Sequence, residues 1–396
     1  MFVAYEGEEI TIMHTCRRLR FFFVVALFLC AVSCGFTTGQ VDYWPTDGWR
    51  SSPPEEQGLD PKILSQIDHD VKETFPDVKG VLVVRNGYVV FENYYQGYDR
   101  SDYHHVFSVT KSVTSALVGI ALKEDRIENL DQHLPEFFPE HFGPGTDQRK
   151  RQITVENLLT MTSGFRPNSF FNNKGFERIL SSDDVVEASI GQPMAKEPGE
   201  EFNYNDGDAH LLSAILTKTT GHSALAYSHE NLFGPLGIDS DPDATIEADP
   251  ANIRRFEQAG FVWADDGQGN SVGAGGLKLT ARDMAKIGYL YLQDGRWEGS
   301  QIVPRGYVRA STRQQVETDY SPADGPAGYG YLWWTRKVEG HRAFYASGYG
   351  GQFIYVIPEL DLVAVIVSEA PEEGEFGAIS PDGLLDYDVV PAVEVE

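Results

Sequence analysis

A chain of 396 residues, 41% of them hydrophobic, holds enough apolar material for a large core of one or two domains, which argues against a disordered or fibrous protein. The formal net charge is −27, from 32 Lys plus Arg against 59 Asp plus Glu, so the field of the whole molecule repels polyanions. Nucleic acid is therefore a poor partner, as are anionic lipid head groups.

Near the start, Arg17, Arg18 and Arg20 precede an apolar run from Phe21 to Val32, followed by Ser33, Cys34 and Gly35. The run is shorter than the ~20 apolar residues that cross a bilayer, and the layout is that of a secretory leader over residues 1–33. Residues 1–12 carry Glu6, Glu8 and Glu9 and precede Met13, where a conventional basic leader begins. The segment Ala31-Val32-Ser33-Cys34 resembles a lipoprotein signal. Lipid attachment at Cys34 and simple cleavage are both open, and either implies export to the periplasm or cell envelope. Cys16, Cys30 and Cys34 are the only cysteines, so the body can hold no internal disulfide and no cysteine-ligated metal.

Residues 34–54, rich in Thr, Gly, Ser, Pro and Asp, read as a tether lying over or near the domain. A helical pattern over 61–73 leads to two apolar runs, 81–84 and 88–91. They flank Asn86-Gly87, a pair that accepts the positive φ angles of a tight hairpin turn. Helical patterns follow over 108–122, 154–161, 206–218 and 281–293. Strand patterns return over 329–338, 341–347, 352–357 and 362–367, and an acidic closing segment runs from Glu369 to Glu396. Sheet material at both ends and helices between predict an α/β (α+β) fold with one antiparallel sheet. The sheet-bearing parts are 55–125 and 294–396, the helical insert is 126–293, and 55–396 together form one catalytic domain with its cleft at their junction.

The chemistry concentrates in His105-Val106-Phe107-Ser108-Val109-Thr110-Lys111-Ser112, directly before an apolar helix. The i, i+3 spacing puts the Lys111 amine on the face of the Ser108 hydroxyl, and the helix N-terminus offers N–H groups and partial positive charge to an oxyanion. Serine needs a nearby base to become a nucleophile. Taken alone, the four residues also describe an N-cap serine with a first-turn lysine, but this Ser-x-x-Lys occurs once in the chain.

Phe107-Ser108-Val109-Thr110-Lys111-Ser112 resembles the nucleophile motif of class C β-lactamases, DD-peptidases and their esterase and aminohexanoate-oligomer hydrolase relatives. Leu158-Leu159-Thr160-Met161-Thr162-Ser163-Gly164-Phe165, Asn231-Leu232-Phe233-Gly234-Pro235-Leu236-Gly237-Ile238 and Gly273-Ala274-Gly275-Gly276-Leu277 resemble further signatures of that family in the same order. The resemblance covers about residue 55 to the C-terminus. It implies a β-lactamase/transpeptidase-like fold, a Ser108 nucleophile with Lys111 beside it, and Tyr204 as general base or proton shuttle. In Tyr204-Asn205-Asp206, Asp206 departs from the usual asparagine. Ala346-Ser347-Gly348 stands where the family has Lys-Thr-Gly or His-x-Gly, so Ser347 and Gly348 are carried over while the cation is missing. The resemblance also assigns an oxyanion hole to the backbone N–H groups of Ser108 and Tyr349.

These residues imply a serine hydrolase acting on a small-molecule acyl substrate, an ester or amide without the carboxylate that penicillin-directed relatives read. His341 and Arg342 are alternative sources of the cation, each also readable as a solvated strand residue. Asp206 is expected beside Lys111, holding it protonated, with the Lys111 cation lowering the Tyr204 pKa toward working pH. The alternative for Asp206 is a helix cap. An α/β-hydrolase is disfavoured because Gly221-His222-Ser223-Ala224-Leu225 fails its nucleophile pattern at the fifth position. No cofactor is expected, and no metal, since His104 and His105 are adjacent and no His-x-His or His-Glu-x-x-His occurs. A binding protein for muropeptides or a protein partner is the competing reading, against which the joint presence of Ser108, Lys111 and Tyr204 argues.

Overall fold

The computed structural model describes residues 43–168, 175–242, 244–318, 327–370 and 380–393. The leader, Cys34 and the first part of the tether lie outside them. Among the described residues no helix is long and apolar enough to cross a membrane.

The strands in chain order are β1 (Val78–Arg85), β2 (Tyr88–Tyr94), β3 (His104–His105), β4 (Val262–Trp263), β5 (Leu277–Leu279), β6 (Arg296–Trp297) and β7 (Ser300–Gln301). After them come β8 (Val316–Glu317), β9 (Gly328–Tyr329), β10 (Trp334–Val338), β11 (His341–Gly348), β12 (Gln352–Ile357) and β13 (Leu362–Ser368). Eight of them form the main sheet in the order β2-β1-β13-β12-β11-β10-β9-β8, with every pairing antiparallel. The first hairpin closes as the Asn-Gly pair dictates: Asn86 and Gly87 take φ of 51° and 82°, and Arg85 pairs with Tyr88. The sheet joins both ends of the chain because β1 lies against β13, with Leu82 opposite Val365.

Both faces of the sheet are covered, which is why β12 and β13 are apolar without alternation. The helices are α1 (Pro61–Leu64), α2 (Gln66–Glu73), α3 (Val109–Lys123), α4 (Leu134–Phe137), α5 (Val155–Leu159) and α6 (Gly175–Leu180). They continue as α7 (Val185–Gly191), α8 (Asp206–Thr220), α9 (Ala224–Ser228), α10 (Ile253–Gln258), α11 (Ala281–Leu292) and α12 (Arg305–Ser311). On one face Val81, Val83, Tyr345 and Ile366 pack with Ile67 and Val71 of α2 and with Leu385 and Val389 of the closing segment. Ala346, Ile354 and Val365 on the other face join the larger core built around α3, α8 and α11. Helix α3 is buried on all sides from Val109 to Ala121, as its nearly continuous small and apolar sequence requires.

Two expectations are corrected. The run 329–338 is two strands, since Leu332 takes a φ of 57° and breaks the extended chain between β9 and β10. Helix α11, placed with the insert by the sequence, packs on β12 and β13, so the sheet-bearing part begins before residue 294. The last part of the 34–54 segment lies on the body: Trp44 contacts Tyr289 and Trp297, and the Trp49 indole donates to the Arg282 carbonyl.

Candidate active site

Ser108 occupies the N-cap position of α3, at the end of a short strand that leads out of the small β3-β5-β4 sheet. The Val106 N–H donates to Leu277 O, and Phe107 then turns sharply with a φ of 46°, a region that a bulky side chain rarely occupies. Stacking holds this turn. The Phe107 ring lies on His105 at 3.7 Å and meets Tyr349 edge-on at 5.7 Å. His105 is held neutral, its pKa lowered by burial and by Lys278 to about 3, and its Nε2 accepts the Gly276 N–H.

One helical turn on, Lys111 returns to the serine. Its Nζ donates to Ser108 Oγ at 2.9 Å and to the Ala274 carbonyl at 2.8 Å, and lies 2.7 Å from Asp206 Oδ1. Two hydrogen bonds and one ion pair thus hold the ammonium. The pair is almost completely enclosed, with Lys111 and Asp206 side chains 2% and 3% exposed. Burial opposes the charge on Lys111, but Asp206 and Tyr204 outweigh it, and the lysine pKa lies above its ordinary value. Gly273 makes the Ala274 contact possible: a Cβ there would come within 2.1 Å of the Ala209 carbonyl on α8.

Tyr204 and Asp206 are positioned by the start of α8. The cap is Asn205, whose side chain accepts the Asp208 N–H at 3.3 Å, so the alternative role for Asp206 falls to its neighbour. The Tyr204 side chain borders both Ser108 and Lys111, with Lys111 Nζ 5.0 Å from the centre of its ring, and the ring stacks on Trp334 at 6.1 Å. Here the expected electrostatics are corrected. Burial raises the Tyr204 pKa, Lys111 lowers it and Asp206 raises it, and the balance lies above the ordinary phenol value. Tyr204 is a phenol at neutral pH. Asp208, fully buried two residues on, is pushed well above the usual carboxylate range by burial and by Asp206, against a Ser163 hydrogen bond.

Residues 346–349 reach the same place from β11. A Cβ on Gly348 would come within 2.3 Å of Val106 O, so the bare glycine lets the strand end close on the serine turn. Ser347 is partly exposed, and Ala346 is core, 1% exposed. His341 and Arg342 sit at the opposite end of β11 and both engage Glu359, so neither supplies the missing cation. Ser223 of the rejected hydrolase pattern caps α9. Away from these residues, a surface cavity of about 680 Å³ is lined by residues 92–94 and 98–101. His141, Asp184 and Glu187 also converge, with Asp184 capping α7 through the Glu187 N–H.

Of the residues singled out by sequence, Ser108, Lys111, Tyr204, Asp206, Gly348 and Tyr349 converge, while Cys34 lies outside the described residues. Sequence reasoning missed the Ala274 carbonyl, Asp208 and Trp334. The Gly273–Leu277 signature flagged the region of the first, and the second stands in the first turn of α8.

A two-sided antiparallel sheet with a serine–lysine pair at the mouth of a buried helix defines a serine hydrolase of the penicillin-recognising type. Residues 73–387 match the family described as Beta-lactamase, and the chain belongs to that family. It is similar to the 6-aminohexanoate-dimer hydrolase of Paenarthrobacter ureafaciens, 26% identical over 324 residues that cover 78% of this chain and 76% of that protein. Protein flp of Staphylococcus aureus strain MW2 is 29% identical over 184 residues, 44% of this chain and 36% of its own length. Among solved structures, EstCE1, a hydrolase with promiscuous acyltransferase activity, superposes with a TM-score of 0.64 at 17% identity, covering 84% of this chain and 98% of that one.

Proposed function

We propose that this serine hydrolase is exported and cleaves esters or amides through an acyl-enzyme on Ser108. The observation that carries the reading is the convergence of the Ser108 hydroxyl, hydrogen-bonded to the Lys111 ammonium, with the Tyr204 phenol beside both. Lys111, hydrogen-bonded to Ser108 and Ala274 and paired with Asp206, is a fixed cation rather than a base. Tyr204, kept as a phenol, works as a shuttle: it takes the proton of Ser108 as Oγ attacks the acyl carbon and passes its own proton to the departing alkoxide or amine. Water then repeats the exchange, giving a proton to Tyr204 while Tyr204 returns one to Ser108 Oγ, and the acid is released. The backbone N–H groups of Ser108 and Tyr349 serve the oxyanion.

The 6-aminohexanoate-dimer hydrolase relative supports a linear amide as one substrate class. The buried Ala346 supports substrates without a carboxylate at the place where penicillin-directed relatives carry a cation. Turnover of p-nitrophenyl butyrate, linear amides, D-amino-acid peptides, benzylpenicillin and a cephalosporin compares the classes directly. Esters or linear amides should exceed the β-lactams by at least about tenfold in kcat/KM. A preference for β-lactams contradicts the argument from Ala346. Export rests on the leader pattern before Cys34, with lipid attachment there as the means of anchoring. Fractionation that finds the intact leader on a cytosolic protein contradicts it.

A further inference from the structure

We infer that the site sorts acyl substrates by charge, favouring those with an ammonium group near the scissile bond over those with a carboxylate. The inference deepens the serine-hydrolase reading and rests on it.

Three independent features point the same way. The first is the local charge balance. The charges that bear on Tyr204 and Lys111 are Lys111 itself and Asp206, an ion pair of zero net charge. Lys111 already faces Asp206, Ser108 and Ala274, and His341 and Arg342 are held at the far end of β11. A carboxylate brought to Ser108 would lose water without gaining one of these cations as partner.

The second feature is the rim. Phe107 and Tyr349 meet beside Ser108, Tyr204 and Trp334 stack on each other, and all four are partly exposed. Aromatic faces attract cations and offer nothing comparable to a carboxylate. The site already contains one such contact, the Lys111 ammonium 5.0 Å from the centre of the Tyr204 ring.

The third is the field at long range. The leader over residues 1–33 contains three Arg and three Glu, so the chain without it keeps the net charge of −27. Such a field concentrates cationic substrates and repels anionic ones, most strongly at low salt.

Three thioesters of butyrate test the inference: butyrylthiocholine, S-(3,3-dimethylbutyl) thiobutyrate, which replaces the ammonium nitrogen by carbon, and S-(2-carboxyethyl) thiobutyrate. All three place the same butyryl group on Ser108 Oγ, breaking the C–S bond and releasing the thiol with the shuttled proton. Deacylation is thus common to them. Release is followed with a disulfide reagent, and each kcat/KM is divided by the ester's rate of alkaline hydrolysis to remove thiol acidity.

The expected order is cationic, then neutral, then anionic, spanning at least about tenfold at low salt and narrowing as ionic strength rises toward about 0.5 M. Trp334→Leu should narrow the cationic-over-neutral ratio at high salt, where the long-range part is screened. Turnover of the neutral ester with a flat or reversed order overturns the charge sorting alone. If none of the three acylates Ser108, the hydrolase reading falls, and the charge sorting with it.

Discussion

Lys111 holds a buried positive charge because the Asp206 carboxylate stands beside it. The lysine pKa is raised, so the stabilisation from this pair is complete below the ordinary lysine value of ~10.4 and is lost as pH rises through the higher folded value. Asp206→Asn removes the carboxylate and leaves burial, which favours the neutral amine. The alkaline limb of kcat/KM should then move to lower pH by at least about one unit, and stability at pH 7 should fall by about 3 kcal/mol. An unmoved limb would show that Asp206 does not tune the lysine. At this scale Ser108 and Lys111 were legible from side-chain chemistry and spacing, and Tyr204 and Asp206 from the family resemblance. The Ala274 carbonyl was not, since a backbone oxygen has no residue signature. The direction of the Tyr204 shift was missed for a related reason: the neighbouring cation could be read from the motif, but the burial that outweighs it comes from Trp334 and the surrounding fold.

The end of β11 and the turn before α3 depend on each other. Gly348 adjoins the Val106 carbonyl with no room for a methyl group, and Phe107 holds its positive φ against Tyr349. Gly348→Ala should push the strand end away from Ser108 and lower kcat/KM about 100-fold with the secondary structure intact by circular dichroism. Near-normal turnover would mean that this strand end does not shape the site. The Asn86-Gly87 hairpin and the strands over 341–347, 352–357 and 362–367 were readable from turn residues and apolar runs. The break at Leu332 was not, because the positive φ falls on a leucine inside an aromatic, strand-like run, two residues past Gly330. The amphipathic pattern of α11 announced a buried face without saying that β12 and β13 would cover it.

Across the whole molecule, the sheet unites segments that are nearly 300 residues apart, and the long helices α3 and α8 bring Ser108 and Tyr204 together from separate stretches. That much followed from β patterns at both ends and helices between. The closing segment could be read only as acidic, yet it docks through Asp386 on the buried Arg336 guanidinium at 2.9 Å and covers one face of the sheet. An acidic run by itself suggests a solvated surface; its partner, a lone arginine 50 residues earlier, is visible only once the fold is formed. The acyl-enzyme on Ser108 is tested most directly by intact-mass and peptide-mapping analysis after incubation with a fluorophosphonate or a slow ester. A single adduct on the peptide containing Ser108, absent from Ser108→Ala, is the predicted result, and an adduct of equal yield in Ser108→Ala would contradict it.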